Sequence, residues 1–319
     1  MGAVKKKVIF IGSGYFGEYG FRYLLHDDIQ NEIEIVGVIT YHYHVRNLSP
    51  LIPVAESLFI PVFLGNPNSQ ECSEWVEKLY PDVCVMMQFP KKLQSNFLKK
   101  FQWILNAHPS DLPLLRGGSP IEGTILQNLP LTVTVHLVDH LYDHGPIVHK
   151  SLPIPITGMG YEQVAQLAAH QAAPTMAFSI QKMFCDPENL IPQNELLATE
   201  FLTKNLDNCL VMSWKKTPVE QLQRQVLAGG KKRGAMTKIF FRNKVYPAAI
   251  LESRAISCPH NQRIGKTDVL SGDRLKVAAQ GGCLIIDAFH SSIHHDIPSL
   301  SKEVLFIDSV NDERTSFSN

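Results

Sequence analysis

Lys7-Val-Ile-Phe-Ile-Gly12-Ser-Gly14-Tyr-Phe-Gly17 is the stretch whose reading decides the fold. An unbroken apolar run that stops at glycine reads as a strand buried on both faces, the habit of parallel sheets in α/β proteins. The residues that follow, through Phe21–Leu25, read as a helix. The Gly12-x-Gly14-x-x-Gly17 spacing fits a tight strand-to-helix turn. It also matches the loop that seats a pyrophosphate at a helix N-terminus. That second use needs an acidic residue where the next strand ends. The next strand ends Ile39-Thr40-Tyr41-His42, so the turn is predicted to be structural.

Working outward, residues 33–40, 60–63, 83–87, 103–106 and 132–138 read as further strands. Helical stretches at 49–58 and 71–78 lie between the early ones, and a long Ala/Gln-rich helix runs over 161–184. This alternation predicts a Rossmann-like, doubly wound α/β domain over residues 1–190. Residues 191–208, rich in Pro, Asn and Asp, read as a linker. From 209 to 319 the texture changes to a short helix (219–228) and strand-like pieces at 238–241, 246–251, 274–278 and 283–288, which predict a small β-rich barrel.

The bulk properties narrow the function classes. The 319 residues carry 30 Lys+Arg and 30 Asp+Glu, so no global field draws the chain to nucleic acid or membrane. Six scattered cysteines without a C-x-x-C pair fit a reducing compartment and argue against a disulfide framework or zinc ribbon. Three lysines precede the first apolar run, but that run stops at Gly12, too early for a secretory leader or a membrane span. Position 6 is Lys, which does not suit myristoylation at Gly2. The expectation is a cytoplasmic protein; the sequence leaves its oligomeric state open.

Chemistry concentrates in the middle of the chain: Asn106-Ala-His108-Pro-Ser110-Asp-Leu-Pro113-Leu-Leu-Arg116-Gly117, and later Asp143-His-Gly145. Two residues apart on an extended segment, Asn106 and His108 share a face. A second strand can return Asp143 to them. A carboxamide can stabilise a developing oxyanion, an imidazole can move a proton near neutral pH, and a carboxylate beside it raises its basicity. Acyl transfer to an amine then needs no Ser or Cys nucleophile, and no G-x-S-x-G elbow is present. Taken alone, each piece also has a structural use: capping, a rigid Pro-rich loop, a brace for Arg116, a turn at Asp143. His136, His140 and His144 repeat every four residues, but on a strand and its loop that spacing does not converge on a metal. His290, His294 and His295 read as a solvated loop, and no metal is expected.

Asn106-x-His108, Leu112-Pro-x-x-Arg116-Gly117 and Asp143-x-Gly145 together resemble the folate-dependent formyltransferases. The resemblance implies a transferase of one-carbon metabolism that takes its formyl group from 10-formyltetrahydrofolate. It implies Asn106, His108 and Asp143 as the catalytic trio. It further implies that Met86, Met87, Gln88, Phe89 and Pro90, with Leu137, Val138 and Asp139, line the folate pocket, mostly through backbone groups. Ser110, Arg116 and Gly117 are candidate substrate contacts.

The C-terminal part resembles the OB-like domain of methionyl-tRNA formyltransferases, through Val211-Met-Ser-Trp214, Gly234-Ala235 and the hairpins that follow. That implies a role in translation initiation, with charged initiator tRNA as partner. Between residues 215 and 266 stand twelve Lys or Arg against Glu220 and Glu252, a basic stretch suited to a phosphate backbone. Lys231, Lys232 and Arg233 are its expected contact point. The departures from that type are a short 41–47 loop with a single Arg46, Gly-Ser-Pro after Gly117, Gln127-Asn-Leu-Pro130 in place of a Gly-rich turn before Thr132, and a shortened Val83–Pro90 strand and loop. Tyr41, His42, Tyr43 and His44 could instead stack on a sugar nucleotide, which makes an amino-sugar acceptor the second reading. A non-catalytic folate- or RNA-binding relative and a dinucleotide oxidoreductase are the remaining alternatives.

Overall fold

The computed structural model describes residues 5–26, 33–41, 49–270, 274–291 and 304–308. His42, Tyr43 and His44, and His294 and His295, lie outside the described residues. The chain divides into two compact units. The first comprises residues 1–120, 130–155 and 163–202; the second comprises 121–129, 156–162 and 203–319.

In the first unit, β1 (Lys6–Gly12) leads through the glycine turn into α1 (Gly14–Leu24) and on to β2 (Ile33–Thr40). Then come α2 (Leu51–Ser57), β3 (Val62–Leu64), α3 (Gln70–Glu77), β4 (Val83–Met87), α4 (Ser95–Leu98) and β5 (Ile104–His108). A helix that lies in the second unit from Ile121 on, α5 (Pro120–Leu126), precedes β6 (Thr134–Leu137) and β7 (Ile147–Lys150). The long helix α6 (Tyr161–Cys185) keeps Pro174 inside it. There the Thr175 hydroxyl donates to the Gln171 carbonyl at 2.6 Å.

The seven strands lie in the order β3-β2-β1-β4-β5-β6-β7. The first five are parallel, as expected; β6 and β7 run antiparallel. Strand order reverses between β1 and β4, which makes their carboxyl ends the crevice where such sheets bind ligands. Gly12 pairs with Met87 and Met87 with Ala107. The glycine turn, the loop after β4 and the Asn106–His108 segment therefore end at one level. On one face Ile9, Ile11, Ile39, Cys84 and Ile104 pack with Val76, Leu93 and Phe97 in a buried core. Ile104, Asn106 and His108 alternate onto that same face.

The glycine turn is structural. A side chain at Gly17 would meet the Met87 carbonyl at 2.8 Å, so α1 packs against the end of β4. The α1 N-terminus is served from within: Gln88 Oε1 accepts the Phe16 N–H at 2.8 Å, and Ser13 Oγ donates to the Gln88 carbonyl at 2.6 Å. The Gln88 carboxamide thus occupies one of the helix amides a phosphate would use.

The stretch read as a linker is tied down. Ile191 exchanges backbone hydrogen bonds with Ile147 at 2.8 and 2.9 Å. The Arg116 N–H donates to Thr199, and the Phe201 N–H to Arg116. Its Pro, Asn and Asp residues shape turns around partners rather than a free spacer.

In the second unit, α7 (Thr203–Cys209) and α8 (Val219–Arg233) precede β8 (Ala235–Phe241), β9 (Lys244–Ser257), β10 (Thr267–Val269), β11 (Leu275–Ala279), β12 (Gly282–Ser291) and β13 (Leu305–Ile307). The antiparallel order is β10-β11-β12-β9-β8-β13. A bridge between Lys266 and Leu305 joins its two ends and closes the sheet on itself. Trp214 is buried in this barrel against Phe306, and its indole N–H donates to Thr237 Oγ1 at 2.8 Å.

Candidate active site

Four side chains from three segments converge at the carboxyl end of β5. Asn106 and His108 stand on β5, both buried. Antiparallel pairing places His136 of β6 directly opposite Asn106. The loop after β6 returns Asp143, whose Oδ1 lies 3.4 Å from Asn106 Nδ2, 3.6 Å from His108 Nδ1 and 3.4 Å from His136 Nε2. Asn106 Nδ2 also donates to His136 Nε2 at 3.0 Å.

The glycines of the two motifs explain themselves here. The Gly117 N–H donates to Asp143 Oδ2 at 2.9 Å from a backbone at φ +107°, where only glycine sits without strain. A Cβ on Gly145 would lie 1.9 Å from the Leu137 carbonyl, so the turn can press against β6 only as glycine.

Partners fix the proton positions. His108 Nε2 lies 2.9 Å from the Leu115 carbonyl and must carry a proton, which leaves Nδ1 as the basic atom, facing Asp143. His136 Nδ1 lies 2.8 Å from the Leu137 carbonyl and carries a proton likewise, so Nε2 accepts from Asn106. Burial pushes the His108 imidazole down, against the upward pull of Asp143 and the Leu115 carbonyl. It is therefore neutral at neutral pH. Burial alone would raise Asp143. The neighbouring His108, the His136 contact and the Gly117 N–H outweigh it and hold the carboxyl well below the usual carboxylate range. A neutral base facing a fixed anion can accept a proton at Nδ1, and the resulting imidazolium is stabilised where it forms.

Of the expected folate-pocket residues, Met86, Phe89 and Val138 are half-buried and pack on the Asn106 face of the sheet. The Met87 side chain is fully buried on the opposite face, against Gly20, and Gln88 is committed to the α1 N-terminus. The Leu137 and Val138 N–H groups donate to the Pro146 and Ile104 carbonyls, so those amides are engaged. Asp139 Oδ1 accepts the Leu141 N–H at 2.7 Å, and Pro90 is exposed.

The expected substrate contacts divide. Ser110 Oγ donates to the Leu114 carbonyl at 2.6 Å within its own loop. Arg116 is buried, and its five N–H groups are spent. Nε and Nη2 reach Gln193 Oε1, Nη1 and Nη2 reach the Glu195 carboxylate at 2.8 and 2.7 Å, and Nη1 also meets His144. In the second unit, Lys231, Lys232 and Arg233 are exposed, on a last turn of α8 beyond a break at Gly230 rather than in a loop. Lys231 pairs with Glu252 and Arg233 with Asp207; Arg254 of the same basic stretch pairs with Asp287. Asp207 and Asp287 stand outside the stretch in sequence, so its charge excess is smaller in space than along the chain. Among the described residues, no group of three His, Cys, Asp or Glu side chains is arranged to hold a metal ion.

Two contributors escaped the sequence reading. His136 was placed on a strand but not opposite Asn106, which only the register of β6 on β5 reveals. Gln193 sits in the stretch read as a linker, and no local pattern marks it.

Comparison with known proteins gives a consistent picture. The family model described as formyl transferase matches residues 6–176. Methionyl-tRNA formyltransferase of Finegoldia magna is 31% identical over 153 residues, 46% of this chain and 48% of the relative. The chain thus spans about half the length of the first curated relatives it matches. HypX from Aquifex aeolicus superposes with a TM-score of 0.65 at 15% identity, covering 90% of this chain and 46% of that one. The N-formyltransferase from Helicobacter canadensis, crystallised with folinic acid and dTDP-3-aminofucose, gives 0.65 at 16% identity, covering 89% of this chain and 100% of that one.

Proposed function

Because the chain belongs to the formyl transferase family, we propose that it moves a formyl group from 10-formyltetrahydrofolate to a primary amine, the acceptor being the amino group of methionine on charged initiator tRNA. The observation that carries this reading is the convergence of Asn106, His108, His136 and Asp143 around one carboxylate oxygen.

The residues suit a folate on two counts. Met86, Phe89 and Val138 offer half-buried apolar surface to a flat ring system on the face that carries Asn106. His108 and Asp143 supply a neutral base and an anion beside it. The folate supplies a formyl carbon bonded to a nitrogen leaving group. As the amine nitrogen bonds to the formyl carbon, His108 Nδ1 takes the proton it loses and Asp143 holds the resulting charge; His108 returns that proton to the folate nitrogen as its bond to the formyl carbon breaks. The 3.4 Å contact from Asn106 to Asp143 is long enough to give way. It frees an N–H for a carbonyl oxygen gaining negative charge, a donor worth about 3 kcal/mol.

A second reading, an amino group on a nucleotide-linked sugar, draws on two observations. The likeness to the Helicobacter canadensis enzyme extends over that protein's whole length, and acidic partners meet part of the basic stretch. The complete trio speaks against a non-catalytic binder, and Gln88 on the α1 amides speaks against a dinucleotide oxidoreductase.

The deciding experiment is tetrahydrofolate release from 10-formyltetrahydrofolate, with charged initiator tRNA or an amino-sugar nucleotide supplied in turn. Release that requires the tRNA supports the first acceptor; release that requires the sugar nucleotide replaces it with the second. Failure with both amines removes both acceptors.

A further inference from the structure

We propose that Gln193 is a positioning residue for the Asp143 carboxylate; the inference rests on the transfer reading above and deepens it. Asp143 sits at φ +57°, a left-handed conformation that is uncommon for a non-glycine residue. A restraint on its backbone comes from 50 residues downstream. Gln193 Nε2 donates to the Asp143 carbonyl and to the Gly145 carbonyl, both at 2.8 Å, and so grips the Asp-His-Gly turn at its two ends.

The orientation of this carboxamide is settled by Arg116, which can only donate. Its Nε and Nη2 lie 3.1 and 2.8 Å from Gln193 Oε1, which leaves the NH2 group to face the turn. Arg116 is itself fixed. Glu195 holds its guanidinium in a bidentate pair, and its backbone pairs with Thr199 and Phe201. Gly117, next in the chain, holds the other end of the carboxylate through Oδ2. The 193–201 segment thus clamps both peptides that aim Asp143 at His108. Without Gln193 the turn is free to relax, and His108 Nδ1 loses the anion that raises its basicity.

Two substitutions test this. Gln193→Met keeps the volume and removes every hydrogen bond. Gln193→Glu keeps an acceptor for Arg116, removes the two donations to the turn and sets a negative charge against its carbonyls. Each is expected to lower kcat by about 10–100-fold, the scale of a 1 Å misplacement, with KM for folate and amine little changed. The acid limb of the pH–rate profile, set by His108, should move to lower pH in Gln193→Met, whereas the added charge opposes that move in Gln193→Glu. A wild-type profile in both variants, or a fall in kcat with the limb unmoved in Gln193→Met, overturns the proposal. NMR titration of the His108 ring in wild type and in Gln193→Met reads the same shift without turnover. It therefore still decides the matter if the wild-type enzyme transfers formyl to neither amine, an outcome that counts against the function and not against Gln193.

Discussion

At the scale of single residues, the proposed transfer rests on His108 Nδ1 and Asp143 Oδ1, 3.6 Å apart. His108→Ala and Asp143→Asn are each expected to reduce kcat by roughly 10²–10⁴-fold, the usual contribution of a positioned base and its partner. Circular dichroism should show both variants folded; wild-type turnover in either removes the mechanism. The same groups set a pH dependence of stability. His108 has a folded pKa below its unfolded value, so the unfolded chain binds the extra proton. Its contribution is complete above about pH 6.5, the ordinary histidine value, and is lost as pH falls through the lowered one. Asp143 adds a contribution present above the ordinary carboxylate range and lost only in stronger acid. Urea unfolding at pH 7 and pH 5 should show wild type losing stability on acidification and His108→Gln losing less. Asn106 and His108 were legible because alternation alone puts them on one face. Asp143 was legible through its turn and its order in the chain. His136 and Gln193 were not, because strand register and a contact spanning 50 residues place them.

Elements with a clear apolar run read well from sequence, β3 included, while β9 was read over only part of its length and β10 and β13 not at all. β2 and β4 stand where their apolar runs predict, because burial on both faces keeps β4 apolar throughout and leaves β2 only Glu34 and its terminal Thr40 as polar residues. β10 and β13 have three residues each, too few to show a period, yet they are the strands at which the barrel closes. Gly265 sits beside that closure at φ +82°, and a Cβ there would lie 2.0 Å from the Phe306 carbonyl. Gly265→Ala is expected to destabilise the barrel by about 1–3 kcal/mol from backbone strain, read as a lower urea midpoint at unchanged slope. An unchanged midpoint would mean that the bridge contributes nothing. The α8 helix outran its expected end because Glu162 Oε1 accepts the Lys231 N–H at 3.0 Å and restarts it after the break at Gly230.

At the scale of the whole molecule, composition and texture separated an α/β part from a β-rich part. They missed that residues 121–129 and 156–162 belong to the second unit although they stand inside the first in sequence. Nine residues and seven are too few to change a composition. Charge behaves in a parallel way: the basic stretch is dense along the chain, but part of it meets acids in space. If tRNA is the acceptor, neutralising Lys231, Lys232 and Arg233 together should reduce the slope of log affinity against log salt by roughly 2–3. A slope that does not change assigns the stretch to a solvated surface.

The pairing of Ile191 with Ile147 has a consequence for how this protein survives at high concentration. β7 ends its sheet, and a bare outer strand offers unpaired amides to any other chain that passes. Ile191 occupies two of those groups. The segment that steadies the Asp143 turn thus also blunts an aggregation-prone margin. A lesion there would strike twice, once at turnover and once at solubility.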